Sequence, residues 1–534
     1  MADENSQKAV SLLRIFGYPL SLLIRALTGC VMVDRLLVFS VFVVASCGLA
    51  YELIAGALSS YLLGDSLLQF SSIIGCYLFA MGVGSHFSKY IRDEDALTRF
   101  VDIELLVGLL GGISAALLFV VFAWLSAPFR SVLYALVFLI GVCVGMEIPL
   151  VMRVLDRQQM ALRDLVSKVL TFDYLGALAV SLLFPLVLAP QLGMIRTGLL
   201  FGMCNVAVAL WTTHLYRQHI AASTARLVKG GVILGGLLAA FLYADRITHW
   251  SEHGLFGDEV VYSTTTPYQR LVVTQWKDDL RLYINGNLQF SSKDEHRYHE
   301  ALVHPLLTSL PWARQVLVLG GGDGLAVREL LKYPQIEHIA LVDLDPAMTQ
   351  LFSTSPRLTA LNKGSLRNPR VTVVNEDAGQ WLEQHSRMFD AIVVDFPDPS
   401  NFGLGKLYSV PMFRLMSHHL AEHGRLVVQS TSPYFAPRSF WCIDATLKEA
   451  GFNTWPYHTY VPSFGEWGFI LAGKTKDFTP PAKYPIPLKY LDDDETRRMF
   501  RFPADMSPLK MEPNRLDNQS LVHYFEQDWH EVSR

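Results

Sequence analysis

Charge is scarce in this chain. Lysine, arginine, aspartate and glutamate make up 18% of its 534 residues, and the two signs nearly cancel to a formal net charge of −4. That balance gives no footing for a nucleic-acid partner, which calls for a basic excess. Cysteine is scarcer still. Cys30, Cys47, Cys76, Cys143, Cys204 and Cys442 lie scattered, with neither metal-ligand spacing nor a disulfide framework. No metal is expected, and a reducing compartment suits the half that holds Cys442.

What the chain has in excess is apolar sequence. Hydrophobic residues reach 51% and the mean hydropathy is +0.27. The excess is confined to residues 36 to about 245, whereas 256–534 has an ordinary globular composition. A membrane half, with lipid as its partner, therefore precedes a soluble half. Residues 1–35 carry Lys8, Arg14, Arg25 and Arg35 among leucines and read as an interfacial helix. Spans are predicted near 36–57, 65–86, 103–125, 131–152, 170–190, 193–215 and 229–244, about seven within a domain of 36–250.

Two rules collide over orientation. The even loops are basic (Lys89, Arg92 and Arg99; Arg153, Arg157, Arg163 and Lys168; Arg217, Arg226 and Lys229), and the first loop has no lysine or arginine. Loop charge therefore puts the amino terminus and the even loops in the cytoplasm, so seven crossings carry the soluble half outside. The last run, 229–244, is short for a bilayer. If it does not cross, the soluble half is cytoplasmic, and that is the expectation adopted. Glu52, Asp102, Glu104, Glu147 and Asp173 lie in or beside the spans. Such acids either mark a cation path or pair with arginine or backbone near helix ends. The similar settings of Glu52 and Glu147, three spans apart, hint at an inverted repeat.

The soluble half turns on residues 316–331. Four apolar residues, 316–319, lead into Gly320, Gly321, Gly322, Asp323 and Gly324, and a helical pattern follows to about Lys332. Strand, glycine turn and helix start let backbone amides approach a ligand. Leu325 stands where a dinucleotide fingerprint wants glycine, so the turn suits either a nucleoside or an ordinary strand–turn–helix. Further strands at 339–342, 371–374 and 391–394 end in Asp343, Asp377, and Asp395 with Asp398. Open α/β sheets bind ligands at that edge, and an acid after the second strand suits ribose hydroxyls. Upstream, 259–262, 269–275 and 280–284 read as strands with a hairpin at Asn285-Gly286, and a helix is expected from the 288–300 stretch onward through Leu306.

These residues carry a resemblance. Tyr268-Gln269, Asn285 to Gln289, Asp294-Glu295 with Tyr298-His299-Glu300, Gly320 to Gly324, Asp343-Leu344-Asp345, Asp377-Ala378, Asp395 with Asp398-Pro399, Leu407-Tyr408-Ser409, Gln429-Ser430 and Val461 to Phe469 follow one another as in the polyamine aminopropyltransferases, the spermidine synthase family. The whole layout resembles its membrane-fused subfamily. The fold implied is an α-helical multi-pass membrane domain, a small β subdomain (256–310) and an α/β Rossmann-like domain of methyltransferase type (311–475), with an extension, 476–534, that either covers the site or docks on the membrane half. The activity implied is transfer of aminopropyl from decarboxylated S-adenosylmethionine, a co-substrate rather than a bound cofactor, to a diamine, putrescine in most members. Asp395 is the implied catalytic base. Gln269, Gly320, Gly322, Asp323, Asp343, Asp377 and Ala378 are implied for the donor, and Tyr298, His299, Glu300, Asp398 and Gln429 for the diamine. A homo-oligomer, a dimer, is implied as well.

This sequence departs from the family at Phe396 and Pro397, where small hydroxyl residues are usual, and at Phe464 beside Trp467, where a tyrosine is. Both changes are expected to make the amine pocket more apolar. Two alternatives stay open: a methyltransferase sharing the nucleoside site, and a transporter or sensor whose soluble half binds polyamine without turnover.

Overall fold

The computed structural model describes residues 30–63, 66–124, 129–156, 162–244, 246 and 256–532. Of the interfacial helix expected over 1–35, residues 1–29 lie outside these; Cys30 to Arg35 open the first long helix instead. The chain forms two compact units that meet in sequence between 255 and 256.

The first unit is helical: α1 (Cys30–Leu63), α2 (Ser66–Ser88), α3 (Ala96–Trp124), α4 (Phe129–Asp156), α5 (Leu162–Leu183), α6 (Ala189–Leu215) and α7 (Ser223–Leu242). Among the described residues, six stretches are long and apolar enough to cross a membrane, with Arg163–Leu215 counted as one. That stretch is broken at Gly193, whose φ of 72° and ψ of 171° are open to glycine alone, so seven rods result. Helix α7 begins six residues before the apolar run predicted at 229–244. Its 20 residues make about 30 Å, a full hydrocarbon thickness. Arg226 and Lys229 lie in its first two turns, so its apolar stretch remains the short run after Lys229.

Small residues set the spacing of the rods. A Cβ on Gly202 of α6 would stand 2.6 Å from the Gly108 carbonyl oxygen and from the Gly112 Cα of α3, the close backbone approach on which apolar helices rely. Among the acids, Asp102 takes a two-pronged bond from Arg226, at 2.8 Å on each oxygen. Glu147 has no arginine or backbone partner among the described residues and meets Glu104 instead, not its presumed counterpart Glu52.

The second unit opens with an antiparallel meander of β1 (Glu259–Thr265), β2 (Arg270–Trp276), β3 (Asp279–Ile284) and β4 (Asn287–Ser291). Asn285 and Gly286 turn the last hairpin with φ of 50° and 83°, as a two-residue loop demands. The helix expected to start within 288–300 is α8 (Glu295–Thr308); Leu288 to Ser291 form strand β4. The β subdomain therefore ends near 291 rather than 310, and α8 packs on the larger sheet.

That sheet holds β5 (Gln315–Gly320), β6 (His338–Val342), β7 (Val371–Val374), β8 (Phe389–Asp395), β9 (Leu420–Gln429), β10 (Asn453–Val461) and β11 (Gly465–Gly473), in the order β10-β11-β9-β8-β5-β6-β7. Strands β5 to β9 run parallel, and β10 and β11 antiparallel. Val316 to Leu319 and Ala391 to Val394 are wholly buried, because helices cover both faces of a parallel sheet. The extension 476–534 is part of this unit. Phe478, Tyr484, Leu491 and Met499 enter the core on one face and Leu521 the core on the other.

Candidate active site

The strand order reverses between β5 and β8, and the crevice of such a sheet opens there, past the carboxyl ends of the strands. Gly320 pairs with Asp395 across the two strands, and the Gly321 amide donates to the Asp395 carbonyl at 3.1 Å. A Cβ on Gly320, whose φ is +79°, would come within 2.3 Å of that carbonyl oxygen; one on Gly322 would come within 2.6 Å of Asp343 Oδ2. The turn must be glycine at both places. The Gly322 amide donates to Asp343 Oδ2 at 3.0 Å and the Asp345 amide to Oδ1 at 3.0 Å. Asp323 Oδ1 accepts the Leu325 amide at 2.9 Å, starting the helix after the turn.

The other residues expected at the donor stand around this loop. Gln269 donates to Asp345 Oδ2 at 2.9 Å, tying the β meander to the segment after β6. Asp377 Oδ1 caps the helix Ala378–Gln384 through the Gly379 and Gln380 amides, its other oxygen lies 3.5 Å from Lys406 Nζ, and Ala378 is buried.

On the amine side, Tyr298 of α8 donates its hydroxyl to Asp395 Oδ1 at 2.6 Å. Phe464 and Trp467 flank Tyr298, with ring centres 6.5 and 6.4 Å away. Phe396 corrects one expectation, since its ring enters the core with Tyr408 rather than making the amine pocket more apolar. Asp398 is held by Gln429 Nε2 at 3.3 Å and by Thr431 Oγ1 at 3.4 Å. Gln429 also donates to the Phe396 carbonyl at 2.6 Å and to the Tyr408 hydroxyl at 2.8 Å. It sets the loop carrying Asp398, a positioning part rather than the amine contact expected.

Glu300 is a correction too. Its carboxylate accepts the backbone amides of Lys489, Tyr490 and Leu491 at 2.8, 2.8 and 3.1 Å. It anchors the extension and holds no substrate.

Sequence reasoning passed over the device that fixes α8. Arg328, in the helix after the glycine turn, grips Glu295 through both terminal nitrogens at 2.9 and 2.8 Å and Glu329 through Nε at 2.9 Å. His304 holds the far oxygen of Glu329. A lone arginine inside the apolar run 325–331 was the available signal, because a buried guanidinium must find carboxylates. Thr431 was missed as well; its φ of +56° marks a strained turn aimed at Asp398.

The electrostatics follow from burial. Desolvation pushes Asp323, Asp343 and Asp398 up to about 6, and raises Asp395, which the nearby His299 pulls back down. Burial alone would lower His299, but the hydrogen bond and charge of Glu295 push it up to about 9. Burial works on Glu295 in the opposite sense, and His299 with Arg328 brings it down to about 2. His299 is thus a fixed cation between Glu295 and the acids Asp323 and Asp395. None of Asp323, Asp343, Asp395 and Asp398 has a lysine or arginine partner among the described residues.

The sign of the pH effect follows. Between about 3.8 and 6 the folded, empty site binds protons that the unfolded chain does not, so those three acids favour the folded state as pH falls through that window. A cationic ligand needs them ionised and must displace the protons. Affinity for a diamine is therefore expected to fall by about tenfold or more per pH unit below pH 6. Calorimetry in buffers of differing ionisation heat will register the released protons, and an affinity unchanged from pH 7 to 5 contradicts this electrostatic picture.

A model of the spermine/spermidine synthase domain matches residues 295–482. Polyamine aminopropyltransferase 2 of Ralstonia nicotianae is 67% identical over 94% of this chain and 99% of its own length. The polyamine aminopropyltransferase of Leptospira interrogans is 49% identical over 93% and 99%, and polyamine aminopropyltransferase 1 of Streptomyces coelicolor 40% over 92% and 94%. Matches of that extent run through both units. With its cleft of unpaired carboxyl groups and its kinship along nearly the full length, the chain belongs to the polyamine aminopropyltransferase family and is an enzyme of that class.

Proposed function

We propose that the enzyme transfers an aminopropyl group from decarboxylated S-adenosylmethionine to putrescine, giving spermidine and methylthioadenosine. The observation that carries this is the set of buried carboxyl groups at the sheet's switch point that have no lysine or arginine partner among the described residues, an environment for cations. Asp343 suits the ribose hydroxyls, Asp377 the adenine amino group and Asp323 the aminopropyl ammonium. The acceptor amine, with a pKa near 10, arrives protonated and inert. Asp395 takes a proton from its ammonium, and the freed lone pair attacks the methylene carbon next to sulfur. The C–N bond forms as the C–S bond breaks, and the electron pair leaves on methylthioadenosine. Asp398, held by Gln429 and Thr431, faces the distal ammonium. Family membership sets the methyl-transfer alternative aside, and the intact Asp395 and Asp398 speak against a silent binding domain.

The reading extends to place. The helical unit would anchor the enzyme in the cell membrane, with the catalytic unit in the cytoplasm, where the donor is made. The full chain is expected to turn over with decarboxylated donor and putrescine ahead of longer and shorter diamines, assayed by methylthioadenosine release. Turnover with intact S-adenosylmethionine alone counts against it. A reporter fused after Arg534 tests the side: phosphatase activity that needs the periplasm would place the catalytic unit outside.

A further inference from the structure

The start of α8 does more than carry the tyrosine of the amine side. Asp294 occupies the N-cap position of that helix, where an aspartate side chain usually accepts an amide of the first turn. Here it makes no such bond. Its carboxylate reaches instead to a residue 169 positions away, taking the Ser463 amide on Oδ2 at 2.6 Å and the Ser463 hydroxyl on Oδ1 at 2.9 Å. Asp294 is buried around this contact. In the turn that follows, Arg297 donates Nη1 to the Tyr460 carbonyl at 3.0 Å. Two ties from one end of α8 therefore grip the tip of the β10–β11 hairpin.

That tip is tight and carries a ring of the amine side. Val461 pairs with Gly465, and the Phe464 amide donates to the Val461 carbonyl at 2.9 Å. Gly465 has a φ of +81°, and a Cβ there would stand 2.7 Å from the ring of Phe435, so the tip is packed from another side as well. Phe464 lies 5.0 Å from Trp467, centre to centre, and both rings stand against Tyr298. Tyr298 has a further support in Phe469, a wholly buried residue of β11 with its ring 5.2 Å away. The ring that brings a hydroxyl to Asp395 thus has a hold of its own, whereas Phe464 depends on the tip. A carboxylate that could satisfy itself at its own helix start forgoes that cap and orders this loop.

We propose that Asp294 is a positioning residue for acceptor choice: through Ser463 it fixes the hairpin tip, and with it Phe464 as a wall for the methylenes of the diamine. The inference rests on the proposed transfer to a diamine and holds whichever diamine is preferred. An apolar wall held in place discriminates one methylene by about 10- to 200-fold, and a loose one discriminates less because it must be ordered on binding. Asparagine can rebuild the clasp, with its oxygen for the Ser463 amide and an N–H for the hydroxyl oxygen.

Steady-state kinetics of the full chain test this, with the decarboxylated donor, putrescine and the diamines one methylene longer and shorter, beside calorimetric donor binding. Asp294→Ala is expected to raise KM for the preferred diamine about tenfold or more and to narrow its lead over the next about fivefold or more. Donor affinity and kcat stay within about threefold. Asp294→Asn recovers most of both losses. A clasp that only stabilises the fold lowers kcat, donor affinity and amine affinity together, and that pattern overturns the proposal, as does an unchanged KM. If Asp294→Ala aggregates on size exclusion, Ser463→Ala serves, since it deletes only the hydroxyl. A smaller shift of the same kind is then expected, and an unchanged KM and diamine preference overturn the assignment. A native chain inactive with every diamine sinks the proposed function and this inference with it. Native turnover with variants that match it sinks this inference alone.

Discussion

Asp395→Asn lowers turnover by about 100-fold or more and leaves donor affinity within about twofold. The size follows from the role, since removing a positioned base costs about 10²–10⁴ in rate. The selectivity follows from the geometry. Asparagine keeps the shape at the end of β8 and an oxygen for the Tyr298 hydroxyl, which stands 2.6 Å from Oδ1. The backbone pairing with Gly320 and Gly321 involves no side chain, so the donor loop is undisturbed. What the amide lacks is a lone pair basic enough to take a proton from an ammonium. Single-turnover kinetics with calorimetric donor binding separate the two effects. Near-normal turnover removes Asp395 from the base role, and a matching loss of donor affinity makes it a structural residue.

Asp323→Asn acts on donor choice. The carboxyl group of Asp323 is buried and is pushed up to about 6 by desolvation, with His299 pulling it down. It is therefore largely ionised at pH 7, at the start of the helix that follows the glycine turn. A charge-assisted bond of this kind is worth roughly 1.5–3 kcal/mol, so kcat/KM for the decarboxylated donor should fall by about 10- to 150-fold. Intact S-adenosylmethionine gains instead, because its carboxylate no longer meets a carboxylate. The informative quantity is the ratio of the two donor affinities. A ratio left unchanged by the substitution would show that selectivity resides elsewhere. Asparagine still accepts the Leu325 amide, so the helix start survives the change.

The catalytic face was legible because its chemistry is local. A short β-branched run that ends in an acid puts the acid at a strand's carboxyl edge, and four such runs gave Asp323, Asp343, Asp377 and Asp395 their places. Boundaries were harder where two periods overlap. Leu288, Phe290 and the residues after them satisfy a helix as well as a strand, and only pairing with β3 made 287–291 a strand. Carboxylates whose partners lie far along the chain could not be sorted at all. Glu300 sits in the same motif as Tyr298 and His299, yet three amides from 489–491 claim it. Glu147 had a visible twin in Glu52, and the helix crossing brought it to Glu104. Sequence spacing reports one helix face and is silent on what a neighbouring rod presents.

The grip of Glu300 on the tail has a bearing on biogenesis. The three amides that satisfy this carboxylate come 189, 190 and 191 residues after it. As the chain leaves the ribosome, the helical unit is made first, and α8 then waits through nearly the whole catalytic unit for its last partners. At about 5–20 residues per second that wait lasts on the order of ten seconds or more. During it, the tyrosine and histidine of the amine side ride on a helix whose buried acid has only water or a chaperone to answer it. The cleft is thus assembled last, when synthesis is nearly over, and a ribosome stalled before 489 leaves a chain with its helical unit made and no finished enzyme on it.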